Sequence, residues 1–344
     1  IRGAKQRGDR DLIDACLRNA ERAGFKVFLG LNFNERWWAS DFEPEWLYEQ
    51  MTIGNRVADE LFARYGSKYP RAFHGWYWVW EVANVAELYT SEGQQALATA
   101  LNINLDHLRE RFPDMPLMLA PYMNYRIGSA KEYAELWKNV FSHTRFRLGD
   151  IFAPQDCVGA GGLNLEHVPE WFAALGEAVR TKPELRFWSD AETFDQRFWT
   201  SATLDRFVQQ MESVSPYVGG IMTFAYSHYY SPLNGTDDFH AAYEHYVRTG
   251  RLPRMDSPGT IVKSQALQNG EGILLRWDAA KSPVSGYFIY RDGERIADVQ
   301  RRKGSRFGTQ FLDKGGSPNA IYEVTSYNAV GEESPRSALR PKPR

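Results

Sequence analysis

Residues 75–82 read GWYWVWEV, an apolar and aromatic run closed by one carboxylate, Glu81. Such a run is expected to be a buried β-strand whose last residues emerge at the end of a sheet. Comparable strands begin at Lys26 (KVFLGL), Pro116 (PLMLAPYM), Ile151 (IFAPQD), Arg186 (RFWSDAETF) and Gly219 (GGIMTFAYSHYY). Helical stretches separate them at 55–65, 94–111, 130–141, 168–181 and 202–213, with one at 239–248 after the last strand and an amphipathic one at 11–24 before the first. The strand starts are 49, 41, 35, 35 and 33 residues apart, one βα unit each. That spacing calls for parallel strands joined by right-handed crossovers. A complete eight-unit barrel takes about 250 residues. A chain that enters on a helix and then shows six units is expected to be α/β, a TIM (β/α)8 barrel whose first two strands are absent from this chain. The visible strands are then the third to the eighth; a six-stranded open sheet is the alternative.

The barrel is expected over residues 1–250. Residues 251–259 have linker composition, and 260–344 the rhythm of an all-β immunoglobulin-like sandwich: GILLRW, SGYFIYRDGERI and IYEVTSYNAVGEES, with Asp292 and Gly293 as a hairpin turn. Trp277, Tyr322 and the closing NAVGEES resemble fibronectin type III domains. That resemblance implies a core tryptophan at Trp277 and a corner tyrosine at Tyr322. Such modules commonly follow catalytic domains in secreted bacterial glycosidases, so a secreted, periplasmic or cell-surface location is expected, although no signal peptide precedes Ile1.

Composition narrows the function. Lys plus Arg total 41 against 43 Asp plus Glu, a net charge of -2, which gives no electrostatic argument for nucleic acid or an anionic membrane. No apolar run approaches the ~20 residues of a membrane span. Cys16 and Cys157 lack metal-ligand spacing, and there is no glycine-rich phosphate loop, zinc-spaced His cluster or nucleophile elbow. No metal or organic cofactor is expected. Aromatic residues make up 14% and cluster where strands end, which suits a cleft for the apolar faces of sugar rings.

In a (β/α) barrel the reacting groups project from the C-terminal strand ends. Those ends offer Asn32, Trp37 and Trp38; Trp80, Glu81 and Asn84; Tyr122; Gln155 and Asp156; Asp190 and Glu192; Tyr226, His228 and Tyr229. Among Trp78, Trp80 and their neighbours the Glu81 carboxyl is expected to be desolvated, its pKa raised toward a proton-donating role. Glu192 is the matching strand-end carboxylate, and a glycosidase needs two. If two strands are missing, Glu81 and Glu192 fall on strands four and seven, the placement used by the large retaining clan of (β/α)8 glycosidases. That clan has Asn immediately before the strand-four Glu; here Trp80 stands there and the nearest Asn is Asn84.

As an ordered set, AGFKVFLGL, HGWYWVWEV, FAPQDCVGAGG and FWSDAETF resemble a bacterial domain-of-unknown-function family of the 4434 type, a glycoside hydrolase-like (β/α)8 barrel. The resemblance covers about the first 235 residues. It implies a cleft that uses Glu81, with sugar contacts from Gln155, Asp156 and Glu192. The expected protein is therefore a retaining glycoside hydrolase acting on an oligo- or polysaccharide. Glu81 would be the acid/base and Glu192 the nucleophile, with Asn32, Trp38, Trp80, Asn84, Tyr122, Gln155, Asp156, Asp190, Tyr226 and Tyr229 as substrate contacts. A non-catalytic carbohydrate-binding or surface-glycan protein on the same scaffold is the alternative.

Overall fold

The computed structural model describes residues 11–39, 42–233, 236–302 and 308–339. The chain divides into two compact units. One holds the chain up to Cys157 with 162–190 and 213–222, the other 158–161, 191–212 and everything from Thr223 onward.

The first unit is built on five parallel strands in sequential order: β1 (Val27–Gly30), β2 (Phe73–Trp78), β3 (Leu117–Leu119), β4 (Ile151–Phe152) and β5 (Arg186–Phe187). Its helices are α1 (Leu12–Ala23), α2 (Pro44–Tyr65), α3 (Ser91–Arg111), α4 (Ala130–His143) and α5 (Val168–Arg180). Local chemistry sets their ends. Asp11 caps α1 by accepting from Asp14 N, Gly24 ends it in the left-handed region at φ 76°, and Ser129 and Glu132 form a capping box on α4. Helix α2 starts at Pro44, well before the expected residue 55. Proline is favoured in a first turn, where its missing N–H has no intrahelical partner anyway.

Alternation along the strands sorts their side chains. Trp76 and Trp78 of β2 are fully buried on the helix-covered face; Trp78 Nε1 donates to Asn104 Oδ1 of α3 at 3.1 Å, and Phe152 packs on Trp137 and Phe141 of α4. On the opposite face Phe28, Tyr77, Met118, Ile151, Ala153, Trp188 and Met222 form one cluster. The six strand positions in the sequence thus became seven strands, because the run from Arg186 splits at Trp188 into β5 and a further strand. The last two of them, β6 (Ser189–Glu192) and β9 (Ile221–Phe224), form their own two-stranded sheet.

Between them lie the short hairpin β7 (Phe194–Asp195) and β8 (Thr200–Ser201), then α6 (Leu204–Val214). The run from Gly219 is strand only to Phe224. It then turns into the single-turn helix α7 (Tyr226–Tyr229), so Tyr226, His228 and Tyr229 sit on a helical turn instead of a strand end. Helix α8 (Asp237–Thr249) follows.

The C-terminal residues form two antiparallel sheets, β10–β11–β14 and β13–β12–β15–β16. The strands are β10 (Ser264–Asn269), β11 (Gly272–Trp277), β12 (Gly286–Arg291), β13 (Glu294–Gln300), β14 (Gln310–Asp313), β15 (Tyr322–Tyr327) and β16 (Ser337–Leu339). Both sheets contribute to one core around Leu275, Trp277, Tyr287, Ile289 and Val324. The β12–β13 turn is made by Asp292 and Gly293, both at positive φ (52° and 86°), the pairing that a two-residue hairpin needs to match strand twist. Tyr322 is buried, and its hydroxyl donates to the Asp313 carboxylate at 2.9 Å. Strand β12 is buried on both faces: Tyr287 and Ile289 enter the shared core, while Phe288 and Tyr290, with Tyr327, pack against Leu204, Phe207, Tyr230 and Phe239. No described helix is long and apolar enough to cross a membrane.

Candidate active site

The face carrying Tyr77 leads to the site. Two residues on from Tyr77 is Val79, and two further is Glu81; a Cβ on Gly30 would stand 2.9 Å from Val79 Cγ1, so β1 and β2 approach closely there. The same count from Ile151 and Ala153 reaches Gln155. Gln155 Nε2 donates to Glu81 Oε2 at 3.1 Å and to Ala120 O at 3.1 Å. From Trp188 the count reaches Asp190, whose backbone pairs with that of Gln155. Its N–H donates to Pro154 O at 3.0 Å and its carbonyl accepts from Asp156 N at 2.9 Å.

Burial raises the Glu81 pKa above the ordinary carboxylate value, and the Gln155 hydrogen bond opposes that rise. Trp37 Nε1 donates to the Glu81 carbonyl at 3.1 Å, tying the strand end to the loop after β1. Tyr77, which sequence reasoning did not single out, has its phenol pKa raised by burial and then by the Asp190 and Glu81 carboxylates. A hydroxyl that senses both carboxylates stays protonated and can donate. The signal for it was available in the alternation from residue 81 back to 77. Beside Glu81 lies a hollow of about 240 Å3, lined by Trp37, Trp38, Phe42, Val85 and Leu88. Trp38 is 61% exposed, with Phe33 tilted against it at 5.6 Å.

Several expected contacts are not presented to a ligand. Trp80 has the opposite parity to Glu81 and is only 1% exposed, packed among Phe33, Trp37 and Trp46. Asn84 is 0% exposed; its amide donates to Tyr89 Oη (3.2 Å) and Asn124 O (3.0 Å), and its carbonyl accepts from Asn124 N (2.9 Å). Asn32 turns toward α2, donating to Gln50 Oε1 at 3.2 Å. Asp156 is buried. Tyr122 is half-buried, its backbone N donating to Val82 O at 2.8 Å; a Cβ on Gly162 would collide with its hydroxyl at 2.7 Å, so the glycine-rich loop packs on it.

In the second unit Glu192 is 1% exposed, and its Oε2 accepts from Ala160 N at 2.7 Å. Gln210 Nε2 donates to its carbonyl at 3.0 Å. Gly159 abuts it: an added Cβ would meet Phe194 O at 2.3 Å and Glu192 Oε2 at 3.0 Å. Tyr229 stacks on Phe194, and its phenol pKa is raised by burial, with Glu192 adding to the rise. Tyr226 is hydrogen-bonded through its hydroxyl to His240 Nδ1 at 3.0 Å.

Residues 4–235 match the family described as "Domain of unknown function (DUF4434)". The chain belongs to this family. No curated protein matches this DUF4434 chain in sequence. Among solved structures it is similar to a candidate α-L-fucosidase from Bacteroides thetaiotaomicron VPI-5482, at 20% identity, 71% of this chain, 72% of that one and a TM-score of 0.55. It also matches a Bacteroides uniformis β-glucuronidase (12% identity, 96% of this chain but 41% of that one, TM-score 0.40). A third match is the intracellular xylanase of Thermoanaerobacterium saccharolyticum JW/SL-YS485 (14%, 64% and 72%, TM-score 0.41). At such identities the first of these shows a shared fold and nothing finer.

What the DUF4434 residues can do chemically follows from their environment. A mostly buried carboxyl with a raised pKa, held by an amide, is equipped to give up a proton to a leaving oxygen. Among the described residues no group of three or more His, Cys, Asp or Glu side chains is placed to hold a metal ion. Cys16 is exposed and Cys157 buried, and neither is in a disulfide.

Proposed function

We propose that this protein is a glycoside hydrolase that cleaves O-glycosidic bonds of an oligo- or polysaccharide with two carboxylates and retention of configuration. In this reading the parallel strands belong to a (β/α)8 barrel, and the three-plus-four-stranded C-terminal module is of the fibronectin type III kind. A secreted, periplasmic or cell-surface site of action belongs to the same reading.

The observation that carries it is the state of Glu81: a carboxyl at the end of β2, raised in pKa by burial and oriented by Gln155, beside an aromatic hollow. Protonated Glu81 would deliver its proton to the glycosidic oxygen as the bond to the anomeric carbon breaks. Glu192 would attack that carbon to give a glycosyl-enzyme, and water deprotonated by Glu81 would release the sugar. Asp190, on the same strand and electrostatically coupled to Tyr77, is the substrate contact this reading keeps closest to the chemistry.

The test is turnover of a broad panel of aryl glycosides and polysaccharides by wild type, Glu81→Gln and Glu192→Ala. Each variant should lose at least about a thousandfold, and azide should restore turnover to Glu192→Ala by replacing the missing nucleophile. Wild-type rates in Glu81→Gln would end the assignment. One observation favours a non-catalytic glycan-binding protein as the second reading. Glu192 is buried and already accepts a backbone hydrogen bond, the state of a structural carboxylate. Glycan binding without release of reducing ends by wild type would decide for it.

A further inference from the structure

The hairpin of β7 and β8 carries a tryptophan that the catalytic reading does not use. Trp199 stands at φ 52°, in the left-handed region that a bulky L-residue adopts only at an energetic cost. It is nevertheless 56% exposed, so burial of its own ring offsets little of that cost. Strained backbone under an open aromatic ring is a feature held in place by its surroundings, and such features concentrate at ligand sites.

The surroundings are explicit. Asp195, at the start of the hairpin, accepts from Arg197 Nη2 at 2.7 Å and from Arg295 Nη2 of β13 at 3.0 Å. At the other end Gln300 of β13 brackets the backbone of Ser201. Ser201 N donates to Gln300 Oε1 at 2.8 Å, and Gln300 Nε2 donates to Ser201 O at 3.1 Å. That amide reproduces the two bonds of a sheet neighbour. The Trp199 ring lies nearly parallel to Phe194 (8°, centroids 6.0 Å apart), and Phe194 lies within 24° of Tyr229 at 5.5 Å. Tyr229 in turn sits in the field of Glu192. An open flat ring therefore continues, through two further rings, toward a carboxylate.

We infer that Trp199 is a glycan platform, on which one pyranose unit of a neutral oligosaccharide stacks, and that Gln300 is the positioning residue that sets its height and tilt. The apolar C–H face of a pyranose matches an exposed indole. The proposal deepens the glycoside hydrolase reading, and its test separates the two.

Binding of xylohexaose, cellohexaose and mannohexaose would be measured by calorimetry in a Glu81→Gln background, with turnover followed in parallel without that change. Trp199→Ala should weaken binding of the preferred hexasaccharide by at least about tenfold, the usual scale for a truncated tryptophan anchor, and Trp199→Phe should recover most of it. Gln300→Ala should weaken binding several-fold yet add nothing once Trp199 is already Ala, a non-additivity that general destabilisation would not produce. Unchanged affinity in Trp199→Ala, or no binding of any of the three by the parent, would overturn the platform, even where Glu81→Gln abolishes turnover. Trp199-dependent binding by a wild-type protein that hydrolyses nothing would keep the platform and remove the hydrolase.

Discussion

Gln155 Nε2 donates to Glu81 Oε2 across 3.1 Å, and this single hydrogen bond is what opposes the effect of burial on the carboxyl. It stabilises the ionised form, so it keeps the Glu81 pKa lower than burial alone would set it. Gln155→Leu should therefore raise that pKa further. With Glu81 acting as the acid, the alkaline limb of the kcat/KM profile should move to higher pH. A limb that stays in place, or moves to lower pH, would show that another group controls it.

Asn84 provides a check on the division between structural and binding residues. Replacing it with Ala leaves Asn124 N without its acceptor, while Asn124 O keeps the Ile127 N–H at 3.1 Å. The expected cost is about 1–3 kcal/mol, seen as a lower urea midpoint with an unchanged m-value. Glycan affinity should hardly change. The reverse pattern, full stability with lost affinity, would return Asn84 to the list of substrate contacts.

Asp298 lies under the hairpin end of the second unit, accepting from Tyr327 Oη at 2.7 Å, and burial pushes its pKa up to about 6 from 3.8. A carboxyl raised in this way holds its proton more tightly in the folded state. Its contribution is complete below pH ~3.8 and is lost as pH rises through about 6. Asp298→Asn should flatten that part of the stability curve. At pH 7.5 it should be up to about 3 kcal/mol more stable than wild type, while both behave alike near pH 3.5. Denaturant titrations at the two pH values would decide; a variant less stable than wild type at pH 7.5 would refute the expected sign.

The βα alternation was legible because each parallel strand is a short apolar run and each helix carries its own ends, as at Asp11, Ser129 and Gly24. Asp292 and Gly293 announced their turn for an equally local reason. The site was only half legible. Strand-end residues were gathered by proximity in sequence, but alternation separates Glu81 from Trp80, and continuing that count would have exposed Trp80 as core and Tyr77 as a neighbour of Glu81 and Asp190. Asn84 is different: its backbone partner Asn124 lies 40 residues away, and no local pattern reports a contact of that range. The turn at Tyr226 was hidden because its aromatic run continues the composition of the strand before it. Trp199 was missed because a lone tryptophan in a hairpin carries no periodicity at all.

Phe288, Tyr290 and Tyr327 of the C-terminal module share a cluster with Leu204, Phe207, Tyr230 and Phe239. A gene cut at the stretch near residue 255 would therefore not yield two clean parts: the upstream product would carry an oily wound, and the downstream one its mirror image. Grafting this tail onto another protein, or trimming it for convenience of expression, is the wrong way to handle a segment that closes its host. On a ribosome, too, the helices at 204–214 and 237–249 wait for the final stretch of chain before they are sealed.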